Sequence, residues 1–314
     1  MTDLELDDIV ETALELYEQK QYAEAYAYMT TATQAAGLAS ARIYNFRICL
    51  ANLSGQPDLA LRLLAEALDK GYWSHAEQMA ADEDLLTLHD HPEFQRLLAI
   101  CRVQHAAAQQ AARPELRLRL PSASAPAPLL VAFHGNQHHA ADTAPRWEPL
   151  TTLGWCVAVP QSSQMSSHHA FVWNDLEVAT AETRRHAETL AAHPRVDFGR
   201  AVVAGFSMGA RVALWSALQG IFPARGLILL GPWLPELPAW SELLPRLAQS
   251  RTRTYIIIGD ADRSCLPHAQ ALATALRQRS LPVELELHPG MRHRYPPDFA
   301  ASLQRALDFF GSLA

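Results

Sequence analysis

From Leu4 to Ala112 the apolar positions recur at the spacing of one helix face. Leu4, Ile9, Val10, Ala13, Leu14 and Tyr17 form one stripe, and Leu59, Leu63, Leu64, Ala67 and Leu68 form another. Ala, Leu, Glu and Gln are abundant here and only Pro57 and Pro92 interrupt the stretch, so it reads as helical. The pattern changes at Arg113-Pro114, because proline cannot continue a helix and disfavours helix in the residue before it. Glu115–Leu120 alternates polar and apolar with period two, which predicts a half-exposed edge strand, and Pro121–Pro128 is a turn-rich connector. Beyond it come short apolar runs at Leu129–Phe133, Trp155–Val159, Ala201–Phe206, Gly226–Leu230, Tyr255–Ile258 and Val283–Leu287. Strands buried on both faces of a parallel sheet have this character. Amphipathic segments of helix length separate them near 175–193, 208–220, 267–280 and 298–312. Strand alternating with helix predicts an α/β domain with a mostly parallel sheet. The expected organisation is an all-α domain over residues 1–112, a linker and first edge strand over 113–128, and an α/β domain over 129–314.

Composition and charge refine this picture. The chain of 314 residues is long enough for two domains, with 49% hydrophobic and 19% charged residues. No apolar run approaches the roughly 20 residues of a membrane span. The opening MTDLELDDIVE is acidic where a signal peptide would be positive, so the expected location is cytoplasmic. The net charge of −7 argues against a nucleic-acid partner and is unevenly spread. Residues 1–114 hold 8 Lys and Arg against 17 Asp and Glu, whereas residues 115–314 hold 18 against 16. Cys49, Cys101, Cys156 and Cys265 are far apart and form no CxxC pair, so they are expected to be buried free thiols.

The helical stretch also repeats. Lys20-Gln21-Tyr22-Ala23-Glu24-Ala25 has a counterpart 35 residues on in Gly55-Gln56-Pro57-Asp58-Leu59-Ala60, each a short turn leading into a helix. Over roughly residues 5–100 the region resembles tetratricopeptide-type helix-pair repeats, with Ala60 to Leu98 similar to the closing unit of such arrays. The resemblance implies a groove for a peptide or protein partner; the alternative is a helical cap that only stabilises the second domain. His75, His89, His91 and His105 are scattered and read as surface or capping residues.

Active sites in parallel α/β sheets collect at the carboxyl ends of the strands. Gly205-Phe206-Ser207-Met208-Gly209 follows an apolar strand and opens a helix, which is the G-x-S-x-G turn in the strand–turn–helix setting that lifts a serine hydroxyl clear of the sheet. The backbone N–H of Met208, at a helix N-terminus, is placed to hold an oxyanion. A serine needs a base that is itself oriented by an acid. Both stand in the expected chain order: Ile256–Ile258 runs into Gly259-Asp260-Ala261-Asp262, and Glu284–Leu287 runs into a loop with His288 and His293. Either carboxylate and either histidine would satisfy that order.

On these motifs residues 115–314 resemble an α/β-hydrolase, closest in layout to the phospholipase/carboxylesterase and dienelactone-hydrolase-like group of small serine hydrolases. In that group the acid and the histidine each usually lie three residues after a glycine, which implies Asp262 over Asp260 and His293 over His288. The implied second oxyanion donor comes from the loop opened by His134-Gly135, with the N–H of Asn136 first and of Gln137 second, since this chain lacks the further glycine of the family. His134, Gly135, His138, Trp173 and Trp233 are candidates for the substrate pocket. The loop 160–174 is long enough to form a binding wall. His134, His138, His139, His168 and His169 lack a carboxylate or cysteine at zinc-site spacing, so no metal is expected, and no cofactor is implied.

The expected activity is hydrolysis of a carboxylic ester or thioester, a small-molecule substrate, through an acyl-enzyme on Ser207, with His293 and Asp262. The competing reading is a hydrolase fold that has lost catalysis and serves as a scaffold or partner-binding protein, which an intact Ser–Asp–His order speaks against. Within the enzymes, a peptidase would usually carry a propeller or larger cap, and a lipase a greasy lid where the 161–174 loop is polar.

Overall fold

The computed structural model describes residues 3–311. Met1, Thr2 and residues 312–314 lie outside the described residues, as does the side chain of Leu4 from the first apolar stripe. The chain forms two compact units, Met1–Ala112 with Met165–Phe171, and Arg113–Gln164 with Val172–Ala314.

The helical unit contains α1 (Asp3–Glu18), α2 (Tyr22–Ala35), α3 (Ala41–Leu53), α4 (Pro57–Asp69), α5 (Ala76–Ala81) and α6 (Pro92–Ala111). Helices α2 and α4 begin 35 residues apart, and the turns before them match: Lys20 and Gly55 both adopt left-handed backbone, at φ 61° and 74°. Pro57 and Pro92 stand in the first turns of α4 and α6, where a missing N–H breaks no helical bond. Ile9, Val10 and Ala13 pack with Ala25 and Met29, and Leu63 and Leu64 with Ile48, Phe94 and Leu97. Leu14, part of the first stripe, faces outward instead.

The second unit opens with β1 (Glu115–Arg119), β2 (Ala127–Phe133), α7 (Ala140–Trp147) and β3 (Cys156–Gln161). A hairpin of β4 (Met165–Ser167) and β5 (Ala170–Phe171) follows in the chain but belongs to the helical unit. Then come α8 (Leu176–Ala191), β6 (Val196–Phe206), α9 (Met208–Leu218), β7 (Ala224–Leu230), the short α10 (Leu237–Trp240) and α11 (Arg246–Gln249), β8 (Arg253–Gly259), α12 (Leu266–Gln278), β9 (Val283–His288) and α13 (Phe299–Phe310).

Seven strands make one sheet in the order β1-β3-β2-β6-β7-β8-β9, parallel throughout except for β1 at the edge. Alternate residues of each strand feed opposite cores. Leu129, Val131, Phe133 and Val203 pack against α8, α9 and α12, while Leu130, Ala132, Val202 and Ala204 pack against α7 and α13. The chain leaves β2 for β3 on one side and returns to β6 on the other, so strand order reverses between β2 and β6. In open α/β sheets the crevice at the carboxyl ends of the strands at such a switch point is where ligands bind.

The hairpin corrects the expectation that 160–174 is one free loop forming a wall. The Met165 N–H donates to Gln109 Oε1 at 2.9 Å, the His168 N–H donates to the Trp73 carbonyl at 3.0 Å, and His105 Nε2 lies 3.1 Å from the Met165 carbonyl. Side chains of α6 and the backbone of the segment after α4 thus take up backbone polar groups of the hairpin. All four cysteines are free and buried. No helix among the described residues is long and apolar enough to cross a membrane.

Candidate active site

Ser207 stands between β6 and α9 with φ 55° and ψ −118°, a conformation that few non-glycine residues adopt and that turns the chain sharply from strand to helix. The glycines on either side make the turn possible. A Cβ at Gly205 would stand 2.3 Å from the backbone of Gly209, and one at Gly209 would stand 2.2 Å from the Phe133 carbonyl oxygen. The second approach brings the end of β2 against the first turn of α9, so the loops that follow β2 and β6 meet beside Ser207. The Ser207 N–H is held by the Leu230 carbonyl at 2.9 Å, which fixes the turn on the neighbouring strand β7. Met208 opens α9, so its N–H has no carbonyl one turn earlier in the helix to receive it.

Three elements bring a histidine and a carboxylate to the serine. His293 Nε2 lies 2.9 Å from Ser207 Oγ, and His293 Nδ1 lies 2.6 Å from Asp262 Oδ2. The other oxygen of Asp262 accepts from Ser264 Oγ at 2.9 Å and from the Cys265 N–H at 3.0 Å. Asp262 is buried, and burial alone would raise its pKa; the hydrogen bonds from His293, Cys265 and Ser264 outweigh this and hold the carboxyl below its ordinary value. Burial likewise opposes charge on His293, but the hydrogen bond to Asp262, with the nearby Cys265, raises the imidazole above its ordinary 6.5. Phe206 stacks on the His293 ring at 4.8 Å between centroids and limits its swing.

Asp260 and His288 have other partners. Asp260 is exposed and accepts the Gly290 N–H at 2.7 Å, tying the two loops together. His288 ends β9 and pairs with Glu286, 2.6 Å away, and with Ser302 Oγ at 3.3 Å.

The pocket candidates divide. His134 is fully buried; its Nε2 accepts the Ser162 N–H at 3.3 Å, so Nδ1 carries the proton and donates to the Gly135 carbonyl at 2.8 Å. Burial pushes its pKa down to about 4, leaving it neutral and structural. Trp173, expected over the substrate, has no exposed surface: it stacks on His134, meets Phe133 edge-on, and donates its indole N–H to the His134 carbonyl at 3.1 Å. It is a core residue. Trp233 is partly buried and its N–H lies 3.4 Å from the Ser207 carbonyl, and His138 lies 6.2 Å from the Phe206 ring. Asn136 and Gln137 form the turn after Gly135, with Gln137 at φ 58°. His139 caps α7, accepting the Ala141 N–H at 3.1 Å, and His168 and His169 sit in the hairpin of the helical unit.

Sequence reasoning missed an ion pair between a buried arginine and a half-buried glutamate. Arg211, one turn into α9, meets Glu236 through Nε at 2.9 Å and through a second guanidinium nitrogen, and donates to the Trp173 carbonyl at 2.9 Å. Its guanidinium also lies 5.6 Å from the Trp233 ring centre. An arginine four residues after the serine, on an otherwise apolar helix, was the available signal. Cys265, a buried thiol, lies three residues after Asp262.

A mostly parallel sheet with helices on both faces and a G-x-S-x-G turn at its switch point defines an α/β-hydrolase fold. The phospholipase/carboxylesterase family matches residues 127–310, and the A/B hydrolase-like N-terminal domain family matches residues 6–109. The chain belongs to the phospholipase/carboxylesterase family, and the protein is of hydrolase type. An uncharacterized protein from Bacillus cereus ATCC 10987 is 30% identical, with all of both chains covered and a TM-score of 0.58. The fold is also that of a dienelactone hydrolase-like promiscuous phosphotriesterase, P91, from metagenomic libraries, which is 16% identical over 65% of this chain and 95% of its own, with a TM-score of 0.53. Est1E from Butyrivibrio proteoclasticus is 14% identical over 64% of this chain and 95% of its own, with a TM-score of 0.50. No curated protein matches the sequence.

Proposed function

We propose that the protein is a serine hydrolase that cleaves a carboxylic ester or thioester through an acyl-enzyme. The observation that carries this reading is the continuous hydrogen-bonded chain from Asp262 through His293 to Ser207, at 2.6 and 2.9 Å. Asp262 holds the proton on Nδ1, so the Nε2 lone pair faces the serine hydroxyl. As Ser207 Oγ attacks the carbonyl carbon, its proton passes to Nε2 and the carbonyl oxygen becomes an oxyanion. The Met208 N–H holds that oxyanion, together with the N–H of Asn136 or, second, of Gln137; the close approach of Gly209 to the end of β2, just before that loop, supports this reading. The imidazolium protonates the departing alcohol or thiol, and water, deprotonated by His293, then releases the acid and frees Ser207.

Residues 129–314 apart from the hairpin make up the catalytic domain in this reading, after the linker and edge strand over 113–128. The tetratricopeptide-like helices of 1–112 serve protein interaction or capping. That the helical unit takes up residues 165–171, a piece of chain lying between β3 and α8, favours capping. The reading is tested with p-nitrophenyl esters of increasing acyl length and an acyl thioester. Turnover of at least one of them by the full chain is expected, and turnover of none would contradict it.

A further inference from the structure

Cys265 has no place in the proton path just described, yet its sulfur belongs to the same small cluster as the acid and the base. One donor atom each from Asp262, Cys265 and His293 lie within 4.8 Å of one another. They come from the turn after β8, the residue that caps α12, and the loop after β9, so each is fixed by a different part of the framework. Asp262 and Cys265 are 2% exposed, while about a third of the His293 side chain reaches solvent, which leaves an entry path past the imidazole. We propose that Asp262 Oδ2, Cys265 Sγ and His293 Nδ1 form a binding site for a zinc-like, thiol-seeking divalent cation that switches the hydrolase off.

The donor set is the argument for the ion. One thiolate, one imidazole nitrogen and one carboxylate oxygen are the ligand types of zinc, which binds them at about 2.0–2.3 Å and leaves a fourth position for water. Magnesium and calcium would reject the sulfur and demand more oxygens. Asp262 Oδ1 is already committed to Ser264 and Cys265 N–H, so Oδ2, now facing the Nδ1 proton, is the oxygen that would turn to a metal. The other such group among the described residues, Cys49 with Asp82 and Asp84, is less suited. Burial and the two carboxylates push the Cys49 thiol far up, and Asp84 already accepts from Tyr17.

The consequence for catalysis follows from proton balance. The ion takes the place of the proton between Nδ1 and Asp262. That proton moves to Nε2, and the Cys265 thiol loses its own to solvent, so one proton is released per ion bound. Imidazole bound through Nδ1 and protonated on Nε2 has no lone pair for Ser207. The bound ion thus fixes the inactive tautomer without touching the serine.

This inference rests on the proposed triad only through the activity readout, so two readouts are needed. Full-length protein is titrated with Co2+ while thiolate-to-metal charge-transfer absorption is followed, and with Zn2+ while ester turnover is followed, with Mg2+ as control and a chelator added at the end. A charge-transfer band, inhibition by Zn2+ but not Mg2+, and recovery on chelation are expected. Cys265→Ala, with Cys265→Ser as a second variant that keeps the volume, should lose the band. Each should need about tenfold or more Zn2+ to halve its own metal-free activity. No band in the wild-type protein, or equal zinc sensitivity in both variants, would overturn the site. A band that disappears with Cys265 in a protein that hydrolyses no ester would instead sink the functional reading and leave the site standing.

Discussion

Gly259 lies directly under Met291: a Cβ added to the glycine would stand 1.8 Å from the Met291 carbonyl oxygen. The end of β8 and the loop after β9 therefore touch backbone to backbone, and the Ala261 N–H adds a bond to that same carbonyl at 3.1 Å. Asp262 lies three residues beyond the glycine and His293 two beyond the methionine, so this contact sets the separation of Asp262 and His293. Backbone cannot rotate away as a side chain can. Gly259→Ala is expected to destabilise the protein by about 2 kcal/mol or more and to lower turnover at temperatures where it remains folded. Urea unfolding followed by fluorescence, alongside ester turnover, checks both effects.

Asp262 and Asp260 are two residues apart and have different partners, His293 and the Gly290 N–H. Asp262→Asn leaves an amide that can hold the imidazole in the wrong tautomer, so kcat/KM should fall by about 10³–10⁴-fold while Asp260→Asn stays within about tenfold of the wild type. The reverse ranking would move the acid to Asp260.

Only neutral His293 can accept the serine proton. Because the folded protein raises the His293 pKa above 6.5, the ascending limb of kcat/KM against pH should lie on the alkaline side of 6.5. Asp262→Asn removes the charge responsible and should move that limb to lower pH. A wild-type profile already flat from pH 6 upward would contradict the assignment of His293 as base.

Glu286 tests the frame outside the site. Burial works against its charge, but hydrogen bonds from Arg305, Tyr255 and Ser302 win and hold its pKa at about 2, joining β9 to β8 and α13. A depressed carboxyl adds stability that is present above its unfolded pKa and is lost as pH falls through the folded one. Glu286→Gln should therefore lower unfolding free energy at pH 7 by about 1–3 kcal/mol and flatten its loss between pH 4.5 and 2. Urea midpoints at pH 7 and pH 3 measure this; an unchanged midpoint at pH 7 would contradict it.

How far the sequence reveals this molecule varies with the range of the interactions involved. The strands of the sheet announce themselves because both faces are buried, as with Leu129 and Leu130 feeding opposite cores. The turn at Ser207 is legible because its glycines sit next to the serine in sequence. Helix α7 is not, since Pro145 lies inside it and only eight residues carry its pattern. The β4 and β5 hairpin is hidden for another reason: its partners Gln109 and Trp73 lie more than 50 residues away in sequence, and its centre, Ser166 to His169, is polar. The burial of Trp173 is hidden on the same ground, because its indole N–H is bonded to the His134 carbonyl, 39 residues earlier. The ion pair of the buried Arg211 with Glu236 spans 25 residues and leaves no periodic trace.

The central claim is that Ser207 is the nucleophile, and labelling by a fluorophosphonate probe tests it most directly. The wild-type protein should label at Ser207, located by peptide mass spectrometry, and Ser207→Ala should lose both the label and ester turnover by about 10⁴-fold or more. Full labelling of Ser207→Ala, or ester turnover that survives the substitution, would contradict the account.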